Sequence, residues 1–354
     1  MKIFDLHCDT IEALKNNNEI FDNSITQFTM KGQEKLDKAV QFLAVWVPDH
    51  LRGQEAVDFT NGYYEYMTEA VGKVADRAAL VEDMSDLDTI LNERKWAFIR
   101  SIESGAALGG KLENVDHFAK LNFKMMTLTW NGINELGSGS QSEMGLTDFG
   151  KAAVRRMEEV GMIVDCSHLN DAGFEDLLNC STKPFVASHS NLRSLCSHSR
   201  NLRDDQFKEI VARGGLCGIN IYSRFLTEPD DLGAGQKEQL LRLIDRMLEL
   251  GGEDVIAWGM DLDGGVTCDP SIGTPYGAAA YGEYLVEHGI SREIVDKLSA
   301  QRTVRHNRQY DKLVLRKYFY HTVYPARYTP DNIGIASLCH NTYSHVPSPR
   351  FPPS

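Results

Sequence analysis

Eight short apolar runs, rich in β-branched and aromatic residues, recur along the chain: KIFDLH, VQFLAVWV, WAFIRSIE, FKMMTLTW, GMIVDCSH, PFVASHS, GLCGINI and VIAWGMD. Segments with helical periodicity separate most of them. QEAVDFTNGYYEYMTEAVGKVADR and TDFGKAAVRRMEEVG are the clearest, and DDQFKEIVARGG stops at Gly214 and Gly215. Eight strands alternating with helices predict an α/β fold with a parallel sheet closed as a (β/α)8 TIM-type barrel. A doubly wound open sheet is the alternative topology. No GxGxxG follows the first run, which argues against its dinucleotide-binding form.

Composition sets further bounds. With 354 residues, 42% hydrophobic and 25% charged, the chain is ordinary globular material with ample length for a large core. Barrels of this length are commonly one domain. A net charge of −13 argues against nucleic acid or an anionic membrane surface as partner. No run is suited to span a membrane, and no basic segment followed by an apolar one marks a secretory signal. A cytoplasmic location is therefore expected. Seven cysteines, none in a CxxC pair, disfavour a thiolate zinc site and a disulfide framework, so buried reduced thiols are expected.

The chain changes character near its end. Residues 1–302 carry all eight runs and form the expected barrel domain. Residues 303–354 hold six of the 13 Tyr and six of the 11 Pro, with no Glu. Their seven Lys/Arg against two Asp give +5 and leave −18 on the body. YPARYTP and VPSPRFPPS cannot be helical, so an atypical, loosely packed tail is expected, with His306, His321, His340 and His345 outside any site. A polar, glycine-rich loop at 137–145 is expected to be flexible and near the barrel mouth.

The chemistry gathers at the carboxyl ends of the runs. The first ends in His7 and Asp9, two residues apart and so on one face of a strand. The third ends in Glu103, the fifth in His168, the sixth in His189, and the eighth in Asp261 and Asp263. In a barrel these ends share one rim, where active sites lie. A lone His or Asp after a strand is usually structural or a helix cap. Five strands doing it together point to a metal centre. The donors are too many for one tetrahedral zinc with an open position and suit two ions sharing a carboxylate. His7 and Asp9 would hold one ion and His168 and His189 the other, with Glu103 between them. Imidazole and carboxylate donors favour two Zn2+ per chain, with Mn2+ or Co2+ as substitutes. A hydroxide shared by the ions would attack a carbonyl, with Asp261 as general base and then acid. Asp263 and Asp165 are expected to support or orient neighbours, and His198 to lie at the surface.

FDLHCDT, IESG, TLTWNG, GLTDFGKAAVRRMEEVGMIVDCSH, SHSNLRSLCSHSRNLRDDQ, ARGGLCGIN and GMDLDG, in this order over residues 1 to about 300, resemble the membrane dipeptidase (renal dipeptidase) family of zinc peptidases in the amidohydrolase superfamily. The resemblance implies a (β/α)8 barrel with a binuclear zinc site. It assigns the ligand roles to His7, Asp9, Glu103, His168 and His189, with Glu103 bridging, and proton transfer to Asp261. It implies hydrolysis of dipeptides with a free amino terminus, tolerance of a D-residue at the carboxyl side, and a homodimer. Such barrels close with a final helix near residue 300. Arg200, in SHSRN, matches the arginine that binds the substrate carboxylate, which a guanidinium grips bidentately.

Trp130 departs from the family pattern, which places a histidine there (TLTHN) near the scissile carbonyl. An indole donates one N–H and cannot carry a proton. Help for the carbonyl would then come from the metals or from a neighbour such as Asn131. Trp130, Asn131 and Tyr222 complete the expected substrate-binding set. Competing readings are another binuclear amidohydrolase of the D-aminoacylase or lactonase type, and a metal-dependent deoxyribonuclease, which the charge of −18 disfavours. A non-catalytic binding protein on a decayed barrel is the third, and retention of all five ligands speaks against it.

Overall fold

The structure is a computed structural model that describes residues 1–228 and 235–299. Nine strands run in parallel: β1 (Lys2–Cys8), β2 (Lys38–Trp46), β3 (Ala78–Leu80), β4 (Trp96–Glu103), β5 (Phe123–Thr127), β6 (Ile163–Asp165), β7 (Val186–Ala187), β8 (Leu216–Ile219) and β9 (Ile256–Trp258). They follow the order β2-β1-β9-β8-β7-β6-β5-β4, and β2 also pairs with β4, so eight of them close into a (β/α)8 barrel. These eight are the eight apolar runs. The extra strand, β3, lies beside the first half of β4, with Ala78 opposite Trp96, and β5 takes over the same edge from Arg100. Its three residues are too few to show a periodicity.

Alternation along the strands separates two apolar clusters. Phe4, Leu6, Val40, Phe42, Ala97 and Ile99 fill the lumen together with the short helix Leu87–Asn92. Leu43, Val45, Phe98 and Ile102 face outward into the cluster built with the surrounding helices. Helix Asp148–Val160 shows the pattern: Thr147 Oγ1 accepts from Gly150 N at 3.0 Å, Ala153, Val154 and Met157 are buried, and Gly161 ends it at φ +79°. Helix Asp204–Arg213 ends at Gly214, φ +69°, as its sequence predicts. Helix Pro275–Glu287 packs on β1 and helix Arg292–Leu298 on β9, so the closing helix precedes residue 300. The tail at 303–354, with its four histidines and Cys339, lies outside the described residues. Among the described residues, Cys8, Cys166, Cys196 and Cys217 are buried free thiols, Cys180 and Cys268 are half-buried free thiols, and no helix is long and apolar enough to cross a membrane.

One irregularity positions the site. Asp5 of β1 opposes Gln41, but Cys8 opposes Leu43, so β1 carries one extra residue in a bulge. The bulge turns His7 into the lumen directly after the inward-facing Leu6. Asp5, fully buried, holds it: its carboxylate accepts from Met260 N at 2.8 Å, Gln41 Nε2 at 3.0 Å and His7 N at 3.4 Å. His7 and Asp9 therefore converge by another route than strand alternation, because Asp9 stands past the strand, before helix Thr10–Asn17. The loop at 137–145 is held at the mouth by Asn170 Nδ2, which donates to Ser138 Oγ, Ser142 O and Met144 O at 2.8, 2.6 and 2.9 Å.

Candidate metal centre

Four strand ends and the loops after them bring the candidate ligands together. His7 Nε2 lies 3.4 Å from Asp9 Oδ2, 3.4 Å from Glu103 Oε2 and 3.8 Å from Asp261 Oδ1. Glu103 Oε1 turns the other way, 2.8 Å from His168 Nε2 and 3.7 Å from His189 Nε2. The two oxygens of Glu103 thus face two donor groups, His7 with Asp9 and His168 with His189. Within each group the ligand atoms lie within 4.8 Å of one another. His168 and Asp261 sit in turns past the short strands β6 and β9, with φ of +72° and +61°. These left-handed backbones point both side chains back over the barrel mouth.

The donors fit divalent cations. His168 Nδ1 lies 2.9 Å from Asn131 Oδ1, an acceptor, so the ring proton resides there and Nε2 carries a lone pair. Ser188 Oγ donates to Asp165 Oδ2 at 2.5 Å, so His189 Nδ1, 2.8 Å from the same hydroxyl, is the donor of that pair. Its Nε2 also carries a lone pair, and the two Nε2 atoms face each other at 2.9 Å. His7 Nε2 and Asp9 Oδ1 are buried without a hydrogen-bond partner among the described residues. Lone pairs converging beside carboxylate oxygens call for a cation. Burial and the neighbouring cationic groups push the His168 imidazole down to about 4 and that of His189 well below its usual range, keeping both in the neutral, ligating form.

Asp165 is the orienting residue its position suggested: fully buried, it also accepts from Thr127 Oγ1 at 2.6 Å and from the amides of Ser167 and Ser188 at 3.0 and 2.9 Å. Asp263 turns away from the centre and accepts from Thr10 Oγ1 and the amides of Gln27 and Phe28 at 2.6, 2.6 and 3.2 Å. Asp261 Oδ2 accepts from Asn220 Nδ2 at 2.9 Å. Burial, with Glu103 adding to it, pushes the Asp261 carboxyl up to about 6 against the pull of His7.

Above the centre opens a cavity of about 620 Å³ lined by Trp130, Asn131, Arg200 and Tyr222 among others. Arg200 is 7% exposed, and no hydrogen bond to its guanidinium exists among the described residues; Phe225 lies beneath it at 5.6 Å. Trp130 meets Trp46 edge to face at 5.0 Å and stands 6.3 Å from the His168 ring. Asn131 has its amide oxygen on His168, and the Tyr222 ring packs on Phe225 at 4.9 Å. His198, exposed at the surface, also lines the mouth and accepts from Arg200 N at 3.2 Å. Sequence reasoning missed Asn220, Ser188, Trp46 and Glu12. Only Glu12 left a signal: Asp9, Glu12, Ala13 and Asn16 share the helical spacing of one face, and all four line the cavity.

A parallel (β/α)8 barrel with His and carboxylate donors crowded at its carboxyl rim defines a metal-dependent hydrolase of the amidohydrolase type. The family model for membrane dipeptidase, Peptidase family M19, matches residues 1–315, and the chain belongs to that family. It is accordingly a metal-dependent hydrolase of peptide bonds. An uncharacterized protein in the pqqA 5′ region of Klebsiella pneumoniae is 27% identical over 246 residues, 66% of this chain and 89% of that protein. One in the PQQ-III 3′ region of Acinetobacter calcoaceticus is 27% identical over 217 residues, covering 56% and 69%. Among solved structures, the dipeptidase AC, a metallopeptidase of family M19, superposes with a TM-score of 0.80 at 22% identity, covering 90% of this chain and 99% of that one. A metallopeptidase from Rhodobacter sphaeroides, liganded with a phosphinate mimic of the dipeptide L-Ala-D-Ala, gives 0.79 at 22% identity, covering 89% and 99%. At these identities the structural likeness speaks for the fold.

Proposed function

We propose that the chain is a binuclear zinc dipeptidase that accepts a D-residue at the carboxyl side. His7 and Asp9 would hold one ion and His168 and His189 the other, with one oxygen of Glu103 for each. When bound, the ions supply Lewis acidity to the scissile carbonyl and lower the pKa of a water toward 7. The chain's own residues do the rest. Arg200 binds the terminal carboxylate of the substrate, and a buried guanidinium without an acceptor among the described residues is the observation that carries this reading. Asp261, oriented by Asn220, takes the proton of the attacking water at one carboxylate oxygen and delivers it to the leaving amine. Trp130 and Trp46 wall the cavity and limit water around the reacting carbonyl. The phosphinate-bound relative supports a carboxyl-side D-residue by analogy of fold.

Metal content by mass spectrometry, paired with a panel of L–L and L–D dipeptides, tests the proposal. Two zinc ions per chain, with amine release lost in chelator and restored by zinc, is the expected result. Two metals without cleavage of any dipeptide would move the substrate to another amide or ester.

A further inference from the structure

Arg200 follows β7, and Trp46 ends β2. Arg200 lies over Phe225, in the loop after β8, and in the ring of eight strands β2 is four steps from β7 and three from β8, so the two residues line the cavity from well-separated sectors of the barrel mouth. If Arg200 seats the carboxylate and the donors around Glu103 seat the scissile bond, the amino-terminal residue of a dipeptide points to the sector of β1 and β2. That sector is walled by Trp46 and by the cavity face of helix Thr10–Asn17, where Glu12, Ala13 and Asn16 succeed Asp9. The opposite face of the same helix, Ile11 and Leu14, is buried in the core, which fixes the orientation of Glu12. Its carboxylate accepts from Asn16 Nδ2 at 3.3 Å and pairs with no basic side chain among the described residues. Asp9, Glu103 and Asp261 belong to the candidate metal centre and Asp263 is held by Thr10, Gln27 and Phe28, so Glu12 is the carboxylate of this cavity left for a substrate side chain.

We propose that Glu12, with Asn16 and the face of Trp46, selects substrates whose amino-terminal residue carries a basic side chain, such as lysine. The proposal rests on the dipeptidase reading. Reach separates a side-chain cation from the α-ammonium that all dipeptides share. The α-nitrogen is only about 2.5 Å from the scissile carbon by bond geometry, so it stays beside the inner donors. Glu12 stands about 4.5 Å and Asn16 about 10.5 Å further along the helix than Asp9. A lysine stem spans that distance, with its methylenes laid on the indole of Trp46 and its ammonium at Glu12.

Wild type, Glu12→Gln and Glu12→Lys, each loaded with zinc and checked for metal content and thermal unfolding, would be assayed on Lys-Ala, Ala-Ala and Glu-Ala. The expected wild-type kcat/KM on Lys-Ala exceeds that on Ala-Ala by about tenfold. The ratio collapses toward one in Glu12→Gln, and Glu12→Lys prefers Glu-Ala over Lys-Ala, an inversion that a structural role would not produce. An unchanged ratio in Glu12→Gln overturns the proposal, and so does an equal loss on both substrates, which would assign Glu12 to the shared α-ammonium. Zinc-loaded wild type that cleaves neutral dipeptides without favouring Lys-Ala removes this proposal alone. Failure to cleave any of the three removes the dipeptidase reading as well.

Discussion

The Nε2 atoms of His168 and His189 face each other at 2.9 Å, and each ring has its proton fixed on the far side, at Asn131 and Ser188. Two lone pairs at that distance repel unless a cation lies beside them. Zinc binding should therefore stabilise the fold. With free metal at a hundred times its Kd the gain is about 2.7 kcal/mol. Thermal unfolding before and after chelation measures it, and an unchanged Tm in protein that has lost its metal would count against the centre.

Ser188 links Asp165 to His189. Ser188→Ala removes the acceptor that holds the His189 tautomer and leaves one Asp165 oxygen short of a donor. Zinc affinity should fall about 10- to 100-fold, read by competition with a chromogenic chelator. Circular dichroism should remain close to wild type.

Arg200→Met removes the guanidinium that has no acceptor among the described residues. On a dipeptide with a free carboxylate, kcat/KM should drop by about 2 kcal/mol, or roughly thirtyfold. On the corresponding dipeptide amide the loss should be much smaller. Equal losses on acid and amide would show that Arg200 does not read the carboxylate.

Asp171 anchors the segment that carries Arg200. Its carboxylate takes Arg193 at 2.8 and 3.0 Å, Arg203 at 3.0 Å and Gln206 at 3.1 Å. Arg193 above all draws the Asp171 carboxyl down to about 2 from its ordinary 3.8. The unfolded chain protonates first on acidification, so this stabilisation is present above about pH 4 and is lost between about pH 4 and pH 2. With the side chain 42% exposed, solvent screening limits it to about 1 kcal/mol. Urea unfolding of Asp171→Asn should therefore differ from wild type at pH 6 and converge with it near pH 2.

Gly264 has no side chain because two carboxylates occupy the space. A Cβ there would stand 2.5 Å from both Asp261 Oδ1 and Asp9 Oδ2. Gly264→Ala should displace both groups, lowering metal content and turnover together, with little change in far-ultraviolet circular dichroism.

The barrel was legible because its eight strands are apolar on both sides and the helices between them keep a clear period. The five candidate ligands were legible for a related reason: each is a polar residue at the edge of an apolar run, where nothing in the core asks for it. What supports them was not. Asn220, Ser188 and Asp5 act through contacts between segments far apart in sequence, and a single Asn or Ser in a strand end has no distinguishing neighbour. Trp46 reads as the last apolar residue of its strand, and only barrel closure brings it against Trp130. The alternation argument at His7 and Asp9 gave the right convergence for an incomplete reason, since a one-residue bulge is invisible in the pattern KIFDLHCDT.

β1 pairs with β9 through Asp5 and Trp258, residues from opposite ends of the described chain. A nascent chain leaving the ribosome exposes His7 and Asp9 first, yet it cannot seal the sheet until Trp258 has been translated. At synthesis rates of about 5–20 residues per second, the earliest donors wait on the order of ten seconds or more for their last partners. Asp261 lies three positions beyond that closing strand. Truncated or stalled products that end before β9 therefore hold an open sheet without Asp261, and the final seam that shuts the barrel is the same event that brings this carboxylate beside His7.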